Sequence, residues 1–416
     1  MFLQRTLLTL LNLTSSTLSF GAYTYLFRGF GASSTLDGIF IASAIPLTVS
    51  GLINGVLFYL LPIRLTSVSK RLQAISTRTI TYILFFASIV YFPLFLIFKE
   101  KFVLDGNSIY IFLFILISLA TIISNLFFCI IQARGKYMLL GYTALLNSFG
   151  LAIGIFMAIL FQKPLLYPLG YLSGYFISNI FLSKNLSIDP RISKKDRINT
   201  FLLFKPLKPY IIYIVCGTMG FTLFQFIDAL LSNFLEEGSL SILVLSQRFV
   251  VQTGAILSLG ANYIVARAAV LSNKEGGIRA LKKLANKEVF RIIIFNILVL
   301  IIYFLGANKI LYFLLGSSSM SYQDILKLDQ CLGIMLIGTG PMCCLPYLFR
   351  IFYTSNRYRI TAALGLFVPL AYLIFSLILI PFYEINAMAI SFSIAWIISL
   401  VIAIYYLNEI QRKSLN

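Results

Sequence analysis

Histidine is missing from all 416 residues. That removes imidazole as a general acid or base and as a metal ligand. Charge is scarce too: Asp, Glu, Lys and Arg make up 11% of the chain, against about a quarter in a soluble protein. Acids are the rarer sign, 14 Asp and Glu beside 33 Lys and Arg. The five cysteines, Cys129, Cys216, Cys331, Cys343 and Cys344, all fall in apolar runs and none has metal-ligand spacing. Adjacent Cys343 and Cys344 do not make an ordinary disulfide framework, so the five read as small packing residues. No G-x-x-x-x-G-K-[ST] loop is present to hold ATP. No carboxylate pair, nucleophile elbow or long outer loop offers an enzyme site. The residues argue transport without a cofactor, not catalysis.

What the chain has instead is apolar length. Hydrophobic residues make up 59% of it, and its mean hydropathy is +0.93. Runs of about 20 apolar residues without strand-like alternation predict an all-α polytopic membrane protein. Met1–Phe27 carries Arg5 and then an apolar run with no A-x-A cleavage site, so it reads as a first transmembrane helix. Twelve segments are expected in all. They run roughly over Leu3–Phe27, Leu36–Leu61, Ile80–Phe98, Ile109–Ile131, Met138–Phe161, Leu165–Leu182, Tyr210–Leu235, Leu240–Ala269, Val289–Leu305, Ile325–Tyr353, Ile360–Phe382 and Ile385–Leu407.

An even number places both termini on one side. If that side is cytoplasmic, only Arg28, Lys99, Lys101, Lys163, Lys309 and Lys327 fall in outer loops, and Arg248 and Arg350 within helices. All other Lys and Arg lie inside, which orients the chain with cytoplasmic termini and explains the net charge of +19 without nucleic acid. Ser183–Pro209 is basic and contains Pro190, Pro206 and Pro209. It reads as a cytoplasmic linker, 185–208, between a six-helix lobe at 1–184 and another at 209–416. Attraction of this linker to anionic headgroups is an alternative to a plain solvated loop. The halves are faintly alike. Leu36–Lys70 aligns on Leu240–Lys274, and the turn Ile131–Tyr137 resembles Phe352–Tyr358. Six helices per repeat make the repeat parallel, with its axis along the membrane normal.

The stretch Thr222–Ala269 reads as two apolar helices joined by Glu236-Glu237-Gly238. Asp228 and Arg248 lie inside those helices, where a charge costs a few kcal/mol or more. Two readings stand open: the two charges pair and pin the helices, or Arg248 lines a cavity and meets an anionic substrate group through its planar fork of donors. Asp37, at the start of the second helix, and Arg28, at the end of the first, complete the candidate substrate-binding set. Arg350 lies near a cytoplasmic turn, where it can snorkel. Asn12, Thr14, Ser15, Ser16, Thr17 and Ser19 form a polar patch in the first helix, and Asn54 and Asn147 are further intramembrane amides. These serve either as interhelical hydrogen bonds or as the wall of a sugar-facing cavity. Pro46 and the Gly51/Gly55 pair let the second helix bend and pack closely.

Phe30–Phe40 followed by Ile45-Pro46 resembles the FGA-x-x-x-TDAFF…IP stretch of MurJ-type lipid II flippases. Gly238-Ser239 through Arg248, with Gly254 and Leu257–Leu259, resembles their GS-[IV]-S…ADRL…G-x-LG segment, and Leu348–Tyr353 resembles their L-x-x-x-FY. The implied superfamily is that of the multidrug/oligosaccharidyl-lipid/polysaccharide (MOP) exporters, which includes Wzx-like flippases. The resemblance implies two six-helix lobes around a cationic cavity that move a polyprenyl-diphosphate saccharide by alternating access. Asp37 then corresponds to the Asp of the family's TD, and Arg248 to the Arg of its ADRL. The family's first-helix S-R-x-x-G-x-x-R-D is replaced here by Ser15-Ser16 and Ala22-Tyr23, without either arginine, and its P-N-L-L-R-R by Pro46–Gly51. Lipid II flippases usually carry fourteen helices.

The expectation is therefore a flippase of the bacterial cytoplasmic membrane for an undecaprenyl-diphosphate-linked oligosaccharide. Its expected partners are that lipid, the membrane, and glycosyltransferases and a polymerase of the same pathway. The alternatives are a lipid II flippase, a cation-coupled drug exporter with Asp37 or Asp228 as its ion-responsive acid, and a membrane glycosyl polymerase or ligase.

Overall fold

A computed structural model describes residues 2–65, 108–134, 136, 138–186, 208–257, 277–316, 319–355 and 357–413. The expected third segment, Ile80–Phe98, lies outside them, as do the interior of the linker and the eighth segment beyond Leu257. The described residues are helical and contain no strand. Their helices are α1 (Phe2–Phe30), α2 (Ser34–Leu65), α3 (Ser108–Ala133), α4 (Met138–Leu160), α5 (Leu166–Leu186), α6 (Lys208–Thr222) and α7 (Phe224–Leu231). After a short 3-10 turn come α8 (Ser239–Leu257), α9 (Gly277–Ile302), α10 (Asn308–Leu315), α11 (Tyr322–Thr354), α12 (Tyr358–Tyr383) and α13 (Ile385–Lys413). Eight of them are long and apolar enough to cross a membrane, and the bent pair α6/α7 makes a ninth candidate.

Two expected segments, α1 and α5, form helices but fall outside those candidates. Hydroxyl side chains are the cause in α1, and the structure gives them partners. Ser15 and Ser19 both hydrogen-bond Ser148 of α4, at 2.7 and 2.8 Å, and Ser15 donates to the Ala144 carbonyl. In α5, Asn179 accepts from Ser124 of α3 and donates to the Ala120 carbonyl. The α1 patch is thus interhelical glue at Ser15 and Ser19.

By compactness the chain divides into two units, Met1–Leu26 with Gly38–Val215, and Phe27–Asp37 with Cys216–Asn416. In the first, α4 and α5 meet through paired glycines. A Cβ on Gly170 would stand 2.2 Å from the Gly154 Cα, and one on Gly150 would stand 2.4 Å from the Gly174 Cα. Gly150 and Gly154 on α4, and Gly170 and Gly174 on α5, are each four residues apart, which puts both on one face of their helix, so the backbones touch. The same unit holds a buried core of Leu126, Phe127, Cys129, Ile130, Ile131 and Leu182.

In the second unit, α11 is the most buried candidate span. Its start is written in Ser321-Tyr322-Gln323-Asp324: the Ser321 hydroxyl accepts the Asp324 amide and the Asp324 carboxylate accepts the Ser321 amide. That reciprocal box satisfies two of the helix's orphan donors. The α6/α7 break bends by 53°. Thr222 donates back to the Thr218 carbonyl in the last turn before it, a contact that bends helices. All five cysteines are free thiols and four are buried.

The faint repeat has a backbone counterpart. In the first turn, the amides of Arg134, Lys136 and Leu139 donate to Ile130, Ile131 and Lys136. In the second, those of Ser355, Arg357 and Ile360 donate to Ile351, Phe352 and Arg357. The same three bonds close both turns in the register of the sequence alignment.

Candidate functional site

The short helix α7 and the start of α8 are joined by a 3-10 turn and Gly238, whose φ is +83°. Glycine is required there twice over, because a Cβ would also stand 2.8 Å from the Ala32 carbonyl oxygen. The Ser239 amide closes the turn on the Glu236 carbonyl.

Asp37, in the first turn of α2, belongs to the same compact unit. One carboxylate oxygen accepts the Gly238 amide at 2.7 Å. The other accepts the Ser241 amide at 2.7 Å and the Ser241 hydroxyl at shorter range. These amides are orphan donors of the first turn of α8, where the helix presents partial positive charge. Asp37 therefore caps α8 from another part of the chain. The preceding turn is seated just as closely. Gly31 has φ +67°, a Cβ on it would stand 1.9 Å from the Ser319 carbonyl oxygen, and Ser319 donates to the Gly29 carbonyl. Arg28 is exposed in the last turn of α1, where a cation suits the helix dipole.

Asp228 is fully buried on α7. Its carboxylate accepts from the Tyr372 hydroxyl of α12 at 2.5 Å and from the Gln247 amide of α8 at 2.7 Å. Phe224, one turn earlier on α7, has its ring centroid 4.7 Å from Tyr372 and 5.6 Å from Trp396. Among the described residues the ion pairs are Arg291–Glu288 and Lys327–Glu236, and Asp228 is in neither. Of the two readings left open by the sequence, the Asp228–Arg248 pair does not form. Gln247 supplies the donor from α8 instead. Successive helical residues diverge by about 100°, so Arg248 projects from a different side of α8 than Gln247. It is partly buried within the apolar candidate span Ser239–Leu257.

Three of the four sequence candidates thus gather on α8. Asp37 holds its first turn, Asp228 is tied to its middle through Gln247, and Arg248 follows Gln247. Arg28 lies apart from these bonds. Sequence reasoning missed Tyr372, Gln247 and Ser241 as partners of the two acids. A hydroxyl and an amide inside long apolar runs were the available signals. Outside the membrane spans, Glu236 is held below the usual glutamate range by its hydrogen bond from Lys327, 2.5 Å long, and by that ammonium's charge. Among the described residues no three His, Cys, Asp or Glu gather closely enough to hold a metal ion.

The sequence pattern of the family "Lipid II flippase MurJ" matches residues 30–414. No curated protein matches the sequence. Among solved structures, a lipid II flippase MurJ in an inward closed conformation is 17% identical, with a TM-score of 0.73 over 97% of this chain and 87% of that one. An inward-facing multidrug resistance MATE transporter of the MOP superfamily is 12% identical, with a TM-score of 0.69 over 95% of this chain and 94% of its own. A MOP superfamily transporter from Pyrococcus furiosus is 13% identical, with a TM-score of 0.63 over 98% and 95%. At these identities the structural likeness is one of fold.

Proposed function

The chain belongs to the lipid II flippase MurJ family, and from that premise we propose that it flips an undecaprenyl-diphosphate-linked oligosaccharide across the bacterial cytoplasmic membrane. The cargo would be the repeat unit of a surface polysaccharide or O-antigen. Membership in the MOP-type flippases supports a lipid-linked substrate and a multi-pass membrane protein. The observation that carries the finer reading is Arg248. It is a partly buried cation on the apolar candidate span Ser239–Leu257, at the position that matches the Arg of the family's ADRL.

In this reading residues 1–184 and 209–416 act as two lobes joined by the linker 185–208, with both termini cytoplasmic. Arg248 offers its fork to the diphosphate, whose charge would otherwise be expensive inside hydrocarbon. Asp37 and Asp228 hold α8 in place through Gly238, Ser241 and Gln247. Alternating access then exposes the bound headgroup on the far side while the polyprenyl tail remains in lipid. An inside-negative potential favours outward movement of the anion by about 2.3 kcal/mol per charge per 100 mV. The first helix lacks the two arginines of the lipid II pattern, and this departure is why an oligosaccharide other than lipid II is favoured. Lipid II itself is the second reading, because the family matched over residues 30–414 bears that name.

The test is reconstitution of the purified chain in proteoliposomes with fluorescent undecaprenyl-diphosphate saccharide or fluorescent lipid II. Faster flipping of the oligosaccharide lipid supports the proposal. Flipping of lipid II alone would replace it with the second reading, and flipping of neither would end both.

A further inference from the structure

The second compact unit carries a cleft of about 390 Å³ that none of the bonds around α8 uses. It lies beside Tyr303 and Phe304, in the π-helical turn that ends α9, and is bounded by α11 and by Asn386 at the start of α13. Its size falls within the range of small-molecule pockets. Its chemistry is graded along α11. Asp329 and Gln330 form the polar end, Gly333 and Ile334 follow one turn on, and Ile337 one turn further. At 1.5 Å per residue, polar mouth and apolar floor are about 12 Å apart along the helix axis.

The mouth is hydrogen-bonded on one side only. The Tyr303 hydroxyl donates to the Asp329 carboxylate, and the Asn386 amide donates to the Gln330 side-chain oxygen at 3.0 Å. Among the described residues the second Asp329 carboxylate oxygen and the Gln330 Nε2 make no hydrogen bond. Asp329 lies within the candidate span Tyr322–Tyr353, where an ionisable group marks a site more often than not. The π-helical turn brings two rings to the cleft, a feature frequent at functional sites. Gly333 keeps it open: a Cβ there would stand 3.3 Å from the Tyr303 ring and 3.6 Å from that of Phe304. Phe304 and Ile337 are 65% and 44% exposed, so the apolar wall faces outward along the helix surface.

We propose that this cleft binds a membrane phospholipid with a primary ammonium headgroup. The ammonium meets Asp329, Gln330 Nε2 donates to the adjoining phosphate, and an acyl chain lies along Phe304, Ile334 and Ile337. Charge selects the head: a carboxylate attracts an ammonium and repels a head that is anionic only. A quaternary choline head fits less well because it has no N–H for the free carboxylate oxygen. The proposal is independent of which saccharide lipid is carried.

Native mass spectrometry of the delipidated full chain, titrated with phosphatidylethanolamine, phosphatidylcholine or phosphatidylglycerol, tests it. The ethanolamine lipid should bind about tenfold more tightly than the other two, the worth of one charge-assisted hydrogen bond. Asp329→Asn should bring the three within about twofold, and Gly333→Leu should weaken all of them by filling the floor. Equal binding of the three lipids by the wild-type chain, or an ethanolamine preference kept by Asp329→Asn, would overturn the proposal. If Asp329→Asn does not fold, exposed Gln330→Ala takes its place. It should weaken the ethanolamine lipid about threefold, and no change would count against the site.

Discussion

Removing the Asp37 carboxylate should loosen α8 from its first turn inward. The carboxylate accepts two backbone amides at 2.7 Å, from Gly238 and Ser241, and the Ser241 hydroxyl besides. Bonds to a charged group are worth about 1.5–3 kcal/mol each, and the helix N-terminus adds about 0.3–1 kcal/mol. Such terms are not additive within one network, and mutation also frees Asp37 from the cost of its partial burial. A net loss of about 2–4 kcal/mol is expected for Asp37→Ala, and about half of that for Asp37→Asn, which keeps one acceptor. For a unit of about 200 residues the alanine variant should melt roughly 5–10 °C lower in detergent. Hydrogen exchange adds position: the Gly238 and Ser241 amides should lose protection before those in the middle of α8. Ser241→Ala should cost about 1 kcal/mol alone and less in the Asp37→Ala background, because its partner is already gone. An unchanged melting temperature for Asp37→Ala, or strict additivity of the double variant, would refute the capping role.

Tyr372→Phe leaves the fully buried Asp228 short of one donor and should destabilise by about 2–3 kcal/mol, whereas Asp228→Asn in the Tyr372→Phe background should recover part of that in a melting experiment. Gly170→Ala places a methyl 2.2 Å from the Gly154 Cα and should cost about 1–3 kcal/mol, while Gly21→Ala, with nothing within 4 Å, should be neutral or gain up to about 1 kcal/mol. Glu236 is held low by Lys327, so its contribution is present above the ordinary glutamate pKa and is lost as pH falls through the lowered value. The pair is exposed, so Glu236→Gln should move the melting point at neutral pH by no more than about 2 °C and should flatten its fall at acid pH.

Helix content and membrane class were readable from apolar run length alone, because hydrocarbon leaves a spanning backbone few choices. The two matched turns at Arg134 and Ser355 were readable in the same local way. The bend at Leu223 was not, since Tyr210–Leu235 is one continuous apolar run and the Thr222 back-bond carries no hydrophobic signal. Of the candidate site, the charges were visible and their partners were not. Asp37 and Ser241 are 204 residues apart, and Asp228 and Tyr372 are 144 apart. Only packing brings them together. Gln247, next to Arg248 in the chain, donates to Asp228 from α8. Asp329 and Gln330 were passed over because the apolar run around them reads as ordinary span, and the cleft forms only where α9, α11 and α13 meet.

In the proposed transport cycle Arg248 is the cation that meets the diphosphate. The direct measurement is the flipping rate of fluorescent undecaprenyl-diphosphate saccharide by wild-type, Arg248→Lys and Arg248→Ala chains in proteoliposomes, with reconstituted amounts matched. A loss of at least about tenfold is expected for Arg248→Ala, since one charged hydrogen bond is worth about that much. Arg248→Lys should fall between, because a point charge lacks the planar fork. Equal rates for Arg248→Ala and wild type would contradict it.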